Sequence, residues 1–245
     1  MRIDVVTIFP GMFEPVLSES ILRRAREQGF VEVELWDLRR FTDDRHRTTD
    51  DYAFGGGGGM VMKPEPIFRA VEAISSQVGG GRVILLTPQG RAFNQDVAWE
   101  LARERHLILL CGRYEGVDDR VRVGLEADEL SIGDYVLTGG ELPAMVVIDA
   151  VVRLIPGVLG QEDAPARDTF GMGILEGPHF TRPREYAGMR VPDVLLSGNH
   201  GAVARWRRRE ALRRTLQRRP ELLKRIELDE VDRELVREIV LEMMS

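Results

Sequence analysis

A single cysteine in 245 residues, Cys111, means that no intrachain disulfide can form. Cys111 lies inside the apolar run LILLC, which suits a buried structural thiol better than a nucleophile. A chain without disulfides fits a reducing compartment. The four histidines, His46, His106, His179 and His200, have no close i, i+4 pairing and no cysteine company, so no zinc or other metal site is expected from them. The pattern G-x-x-x-x-G-K-[ST] is absent, which excludes a P-loop. G-x-S-x-G is absent too, which removes the nucleophile elbow of a serine hydrolase. Long apolar runs are also missing, since the region from Leu142 to Leu159 is broken by Asp149 and Arg153 and makes a poor membrane span. The opening MRIDVVTIF has an acid at position 4 and reads as a strand, not a signal peptide. The expectation is a cytoplasmic protein with no membrane partner.

Hydrophobic residues make up 43% and charged residues 30%, which is ordinary for a globular chain with a real core. The net charge of −6 gives no global sign of nucleic-acid binding, but it is unevenly spread. Between Arg182 and Pro220 stand eleven arginines and only three acids, Glu185, Asp193 and Glu210. Such a run is often a solvated helix face. In an otherwise acidic chain it also suits contact with a polyanion, and arginine favours forked phosphate recognition. On a helix over 203–219, Arg207, Arg214 and Arg218 fall along one stripe.

Apolar, β-branched runs at 3–9, 31–38, 82–88, 106–112 and 129–137 alternate with helix-like periods. This alternation predicts an α/β fold with a mostly parallel sheet. RVILLTP and HLILLCG are continuously apolar, as central strands are. After Gly160 the pattern changes to polar, small and proline-containing residues, then to arginine-rich helices. The predicted organisation is a domain over 1–160, a flexible linker over 161–174 and a helical domain over 175–245.

Five glycines, Gly55 to Gly59, lack the strand before and helix after that a dinucleotide cradle needs, so they suit either a close-packed loop or one approaching a ligand. Three turns end predicted strands: 87–90, 112–116 and 131–140. If those strands are neighbours, their carboxyl ends frame one pocket, and glycine lets backbone groups come close to a planar ligand. The helix opening at Glu141 is apolar on nearly every side, which predicts burial all round, partly against another subunit. Arg153, four residues after Asp149, is either half of a surface pair or a site-facing cation.

The segments TIFPGMF (7–13), GGGGGMVMKP (55–64), CGRYEGVDDRV (111–121), SIGDYVLTGGELPAMVVIDAVVRLIPGVLG (131–160), PHFTRP (178–183) and VPDVLLSGNH (191–200) together resemble the bacterial tRNA (guanine-N1)-methyltransferases, the TrmD family of the SPOUT class. One departure is an all-glycine loop where the family often has GGGPGM. The resemblance implies a SPOUT-type α/β fold with a deep trefoil knot, plus a small helical C-terminal domain. It also implies that S-adenosylmethionine binds in a bent form against Leu86, Thr87, Pro88, Gly112, Tyr114, Glu115, Gly116, Ser131, Ile132, Gly133, Asp134, Tyr135, Val136, Leu137, Gly139, Gly140 and Pro143.

The implied reaction methylates N1 of the guanosine 3′ of the anticodon, position 37, when another guanosine precedes it. Asp168 matches the family's general base, although by itself it reads as an exposed linker acid. Arg153 matches the arginine beside the guanine O6. The tRNA is expected to meet Arg182, Ser197, Asn199, His200, Arg207 and Arg214, with the linker ordering on RNA. A homodimer with its active site at the subunit interface is also implied, and Mg²⁺ is compatible with the chemistry. The rivals are a SPOUT enzyme acting on another RNA and an RNA-binding module without activity.

Overall fold

The computed structural model describes residues 1–56, 58–161 and 164–244. Gly57 of the glycine run, Glu162 and Asp163 of the expected linker, and Ser245 lie outside the described residues. The chain divides into two compact units, Met1–Glu162 and Asp163–Ser245.

In the first unit, β1 (Arg2–Thr7), β2 (Glu32–Asp37), β5 (Arg82–Ala92), β6 (His106–Cys111) and β7 (Asp128–Ser131) form one parallel sheet in the order β2-β1-β6-β5-β7. The side chains of a strand alternate between faces, and here both faces are apolar. Ile3 and Val5 of β1, Ile84 and Leu86 of β5, and Leu107, Leu109 and Cys111 of β6 join one core cluster. Val6, Leu85, Ile108 and Leu110 join a second cluster on the other side. Helices α1 (Glu14–Leu17), α2 (Ser20–Glu27), α4 (Gln95–Leu101) and α6 (Glu141–Val152) contribute to the first cluster. Helices α3 (Pro64–Val78) and α5 (Asp119–Gly124) contribute to the second. Each large side chain buried in this way contributes about 1.5–3 kcal/mol.

Several expectations are revised. The last strand of the sheet stops at Ser131 instead of running to 137. The Ser131 hydroxyl donates to the Gly133 carbonyl, and the Tyr135 amide donates to the same oxygen, so the chain turns away from the sheet. The first helical stretch is split at Ser18–Glu19, where Glu19 takes an extended backbone before α2 begins. An unexpected hairpin, β3 (Asp50–Tyr52) with β4 (Met60–Met62), has Gly55, Gly56, Gly58 and Gly59 between its strands. Within one chain, helix α6 leaves Leu142, Val146 and Asp149 as an exposed stripe, the face that the expected second subunit would have to cover.

The second unit contains α7 (Ala164–Arg167), a two-stranded hairpin of β8 (Glu185–Tyr186) and β9 (Met189–Arg190), α8 (His200–Arg218) and α9 (Glu230–Met244). Ile174, Ala211, Leu212, Leu235 and Ile239 make its core. Residues 168–174, expected as linker, form a tight turn: the Gly171 amide donates to the Asp168 carbonyl at 2.9 Å, and the Phe170 amide to that of Ile174 at 3.2 Å. Ile174 is fully buried and anchors the turn. Among the described residues, no helix is long and apolar enough to cross a membrane.

Asp4 is a buried charge inside β1. Arg2 grips both of its oxygens at 2.8 and 2.9 Å, the Trp36 indole N–H donates at 2.7 Å, and His106 Nε2 lies 2.6 Å away. Burial alone would push the Asp4 carboxyl up, but the hydrogen bonds from Arg2, Trp36 and His106 outweigh it and hold it below its ordinary value. A carboxyl depressed by folding stabilises the protein above its unfolded pKa of about 3.9, and that contribution is lost as pH falls through the folded value. Asp4→Ala is expected to lower stability by about 3 kcal/mol near pH 7. In urea titrations the gap from wild type should narrow as pH falls below about 4; an equal gap at pH 7 and pH 3 would refute the assignment.

Candidate active site

Three neighbouring strands, β6, β5 and β7, end at the same edge of the sheet, and the loops that leave them enclose a cavity of about 390 Å³. That volume lies in the range of small-molecule sites. Of the residues expected to hold the donor, all except Asp134 line the cavity. Leu86, Thr87 and Pro88 come from β5 and its irregular continuation, where the pairing with β7 shifts between Leu86 and Arg91. Gly112, Tyr114, Glu115 and Gly116 follow β6. Ser131 to Gly140, apart from Asp134, and Pro143 form the opposite wall.

The two walls meet at glycine. The Gly140 amide donates to the Gly112 carbonyl at 2.8 Å, and Arg113 bridges to Gly139 in antiparallel fashion. A Cβ on Gly140 would sit 2.7 Å from the Cys111 Cα, so no larger residue fits without moving the backbone of β6. On Gly139 a Cβ would fall 2.2 Å from Arg113 Nε. These contacts keep the cavity lined by bare backbone, a surface that can accept and donate hydrogen bonds along the edge of a planar heterocycle. A nucleoside-bearing cofactor such as S-adenosylmethionine fits that lining.

Behind the wall lie groups that are not among the expected site residues. Glu141, the first residue of α6, is completely buried. Its Oε1 accepts from the Thr7 hydroxyl at 2.8 Å and its Oε2 from Arg113 Nε at 2.9 Å. The Arg113 guanidinium lies over the Phe9 ring, 4.5 Å from its centroid. An acid opening a helix is common, so only its burial, which the sequence does not reveal, marks it as unusual. Burial pushes the Cys111 thiol well up, and the nearby Glu141 carboxylate adds to the shift, so Cys111 is structural and unreactive.

The hairpin of β3 and β4 braces the β6 loop. The Met62 amide donates to the Gly116 carbonyl at 2.9 Å, and the Glu115 amide to that of Met60 at 3.0 Å. Gly59 lies against the Glu115 side chain. Gly59 is thus next to the cavity loop, although none of the described glycines of the run lines the cavity.

Arg153 follows the last turn of α6, half-buried, with its amide donating to the Asp149 carbonyl at 3.4 Å. Asp168 belongs to the second unit, half-buried at the start of the turn described above. Ser197, Asn199 and His200 shape the entrance of α8. The Asn199 side chain accepts from the Ala202 amide at 3.1 Å, and the Ser197 hydroxyl accepts from the Asn199 amide at 3.1 Å.

The arginine run is largely neutralised within its own unit. Arg208 pairs with Asp232, Arg209 and Arg213 with Glu242, Arg205 with Glu234 and Glu238, and Arg219 with Glu221. Arg214, expected to face RNA, instead donates to the carbonyls of Glu176 and Gly177 at 3.1 and 3.2 Å. Arg182, Arg207 and Arg218 are exposed. Among the described residues, no cluster of three or more His, Cys, Asp or Glu side chains could hold a metal ion.

The family model for tRNA (Guanine-1)-methyltransferase TrmD matches residues 1–225. Among curated relatives, the tRNA (guanine-N(1)-)-methyltransferase of Geobacillus kaustophilus is 56% identical, covering 97% of this chain and 98% of that protein. Proteins of the same name from Dictyoglomus turgidum and Moorella thermoacetica are 56% and 58% identical. They cover 99% and 98% of this chain, and 98% and 96% of their own lengths. The chain belongs to the TrmD family of tRNA (guanine-1)-methyltransferases.

Proposed function

We propose that this protein methylates N1 of a guanosine in tRNA, using S-adenosylmethionine, and that the target lies 3′ of the anticodon, at position 37, after another guanosine. The observation that carries this reading is the glycine-walled cavity at the ends of β5, β6 and β7, in a chain that matches the named relatives along nearly its whole length. When bound, S-adenosylmethionine supplies an electrophilic methyl group on a sulfonium. The backbone around Ile132, Tyr135 and Leu137 reads the adenine edge. A deep trefoil knot in the first unit is part of this proposal.

Guanine N1 is a poor nucleophile while it keeps its proton. Asp168 is the proposed general base that takes this proton, and a positioned carboxylate contributes about 10²–10⁴-fold. Arg153 is the proposed partner of O6, where negative charge grows as the proton leaves. A nucleotide in the anticodon loop can leave its stack at low cost, which suits a base that must enter a pocket.

A second copy of the chain completes the assembly in this reading. Leu142 and Val146 of α6, with Phe9, Met12 and Val16, expose apolar surface that a partner subunit would cover. The C-terminal unit of one copy then serves the cavity of the other. Arg182 and Arg207 are the proposed phosphate contacts, with Ser197, Asn199 and His200 at the head of α8. Arg214 is dropped from that set because its guanidinium is engaged with carbonyls of its own unit. The proposal does not include Mg²⁺. A tRNA substrate fits a cytoplasmic location.

Two measurements test the reading. Labelled S-adenosylmethionine incubated with tRNA transcripts bearing G or A at position 37 should give 1-methylguanosine with G and no product with A. A ribose ether, or equal labelling of both transcripts, overturns the assignment. Asp168→Ala should keep donor and tRNA binding while single-turnover rates fall by more than about 100-fold; near-normal rates would remove Asp168 from its role.

A further inference from the structure

The buried carboxylate at the start of α6 is not used by the chemistry above. Glu141 is completely buried in a helix that is otherwise apolar along its inner face. Removing a carboxylate from water costs several kcal/mol, and an apolar side chain could fill such a place without that cost. What the charge does there is set by its three contacts. Through Oε1 it holds the Thr7 hydroxyl, at the end of β1, and that hydroxyl in turn accepts from the Phe9 amide at 2.9 Å. Through Oε2 it holds Arg113, in the loop after β6. Through its own backbone it continues directly from Gly139 and Gly140, the end of the opposite wall.

We propose that Glu141 is a positioning residue, clasping the end of β1 and the two walls of the donor cavity so that Gly112–Gly116 and Ser131–Gly140 stand at the spacing the donor needs. The inference rests on reading this cavity as the S-adenosylmethionine site. Arg113 is locked on both sides: its Nε donates to Glu141, while its guanidinium stacks on Phe9 and its Nη2 points at Met12 Sδ, 3.4 Å away. With Arg113 fixed, the bridge from Arg113 to Gly139 and the bond from Gly140 to Gly112 follow in register. Without the carboxylate, the Arg113 guanidinium loses the charged group it bonds to, and the β6 loop loses its tie to the wall opposite. Binding then requires the donor itself to order the walls, which weakens affinity and leaves the chemical step unchanged once the site is filled.

The test uses full-length wild type, Glu141→Gln, Thr7→Val and Thr7→Ser, each checked by circular dichroism and thermal unfolding. Calorimetry with S-adenosylmethionine should show Kd raised about tenfold in Thr7→Val and at least as much in Glu141→Gln. KM for the donor should rise in parallel, with kcat at saturating donor and KM for tRNA within about twofold of wild type. Thr7→Ser, which keeps the hydroxyl, should restore donor affinity. A merely structural role would lower the active fraction without separating the two KM values. Unchanged donor Kd in folded Thr7→Val overturns the inference, as does a Thr7→Ser protein as weak as Thr7→Val. Should Glu141→Gln fail to fold, Thr7→Val decides alone, since it leaves both charges in place. Absence of heat with the wild-type protein overturns the donor reading, and this inference with it; binding by wild type that both variants share equally overturns this inference only.

Discussion

The backbone passing from Gly139 to Gly140 runs against the backbone leaving β6, closer than any side chain would allow. The cavity exists because of that approach, since it brings the loop after β7 back over the sheet edge to face the loops after β5 and β6. Two glycines make the approach sterically possible, while the hydrogen bond to the Gly112 carbonyl and the bridge to Arg113 make it favourable. A charge cluster behind the wall, Thr7 with Glu141 and Arg113, then ties it to the first strand of the sheet. The sheet core on either side is apolar and continuous, and most of the buried polar side chains described in the first unit, Thr7, Ser131 and Glu141 at this edge and Asp4 on the first strand, sit at its margins.

The C-terminal unit shows a different use of charge. Its long helix α8 carries most of the arginines, and read in isolation it looks like an RNA-binding face. The acids of α9 lie against it, however, and the two helices hold each other through forked pairs such as Arg208 with Asp232 at 2.8 and 2.6 Å. Within α8, Arg207 and Arg218 are exposed and take part in none of these pairs. Charge density along a sequence therefore overstates the surface available to a polyanion whenever a later acidic helix folds back on it.

Much of the site was legible because backbone chemistry leaves marks in sequence. Glycine-rich turns at the ends of apolar runs identified the loops, and once β5, β6 and β7 proved to be neighbours nearly every expected donor residue fell around one cavity. Asp134 did not, because in a loop the residue that points away is decided by local turning. The sequence showed that α6 is apolar on nearly every side, but only the structure singled out Leu142 and Val146 as the face left open within one chain, since an apolar helix does not say which of its faces a neighbour covers.

What the sequence determined by itself was the alternation of strands and helices and the family. These depend on local periodicity and on motifs whose residues are adjacent in the chain. The tertiary structure alone decided that Glu141 is buried against Thr7, 134 residues away, that Arg214 and the neighbouring arginines are spent on their own unit, and that residues 168–174 form an anchored turn. Burial and pairing depend on which distant segments come together, and a side chain's charge has the same letter in the sequence whether it faces water or a partner.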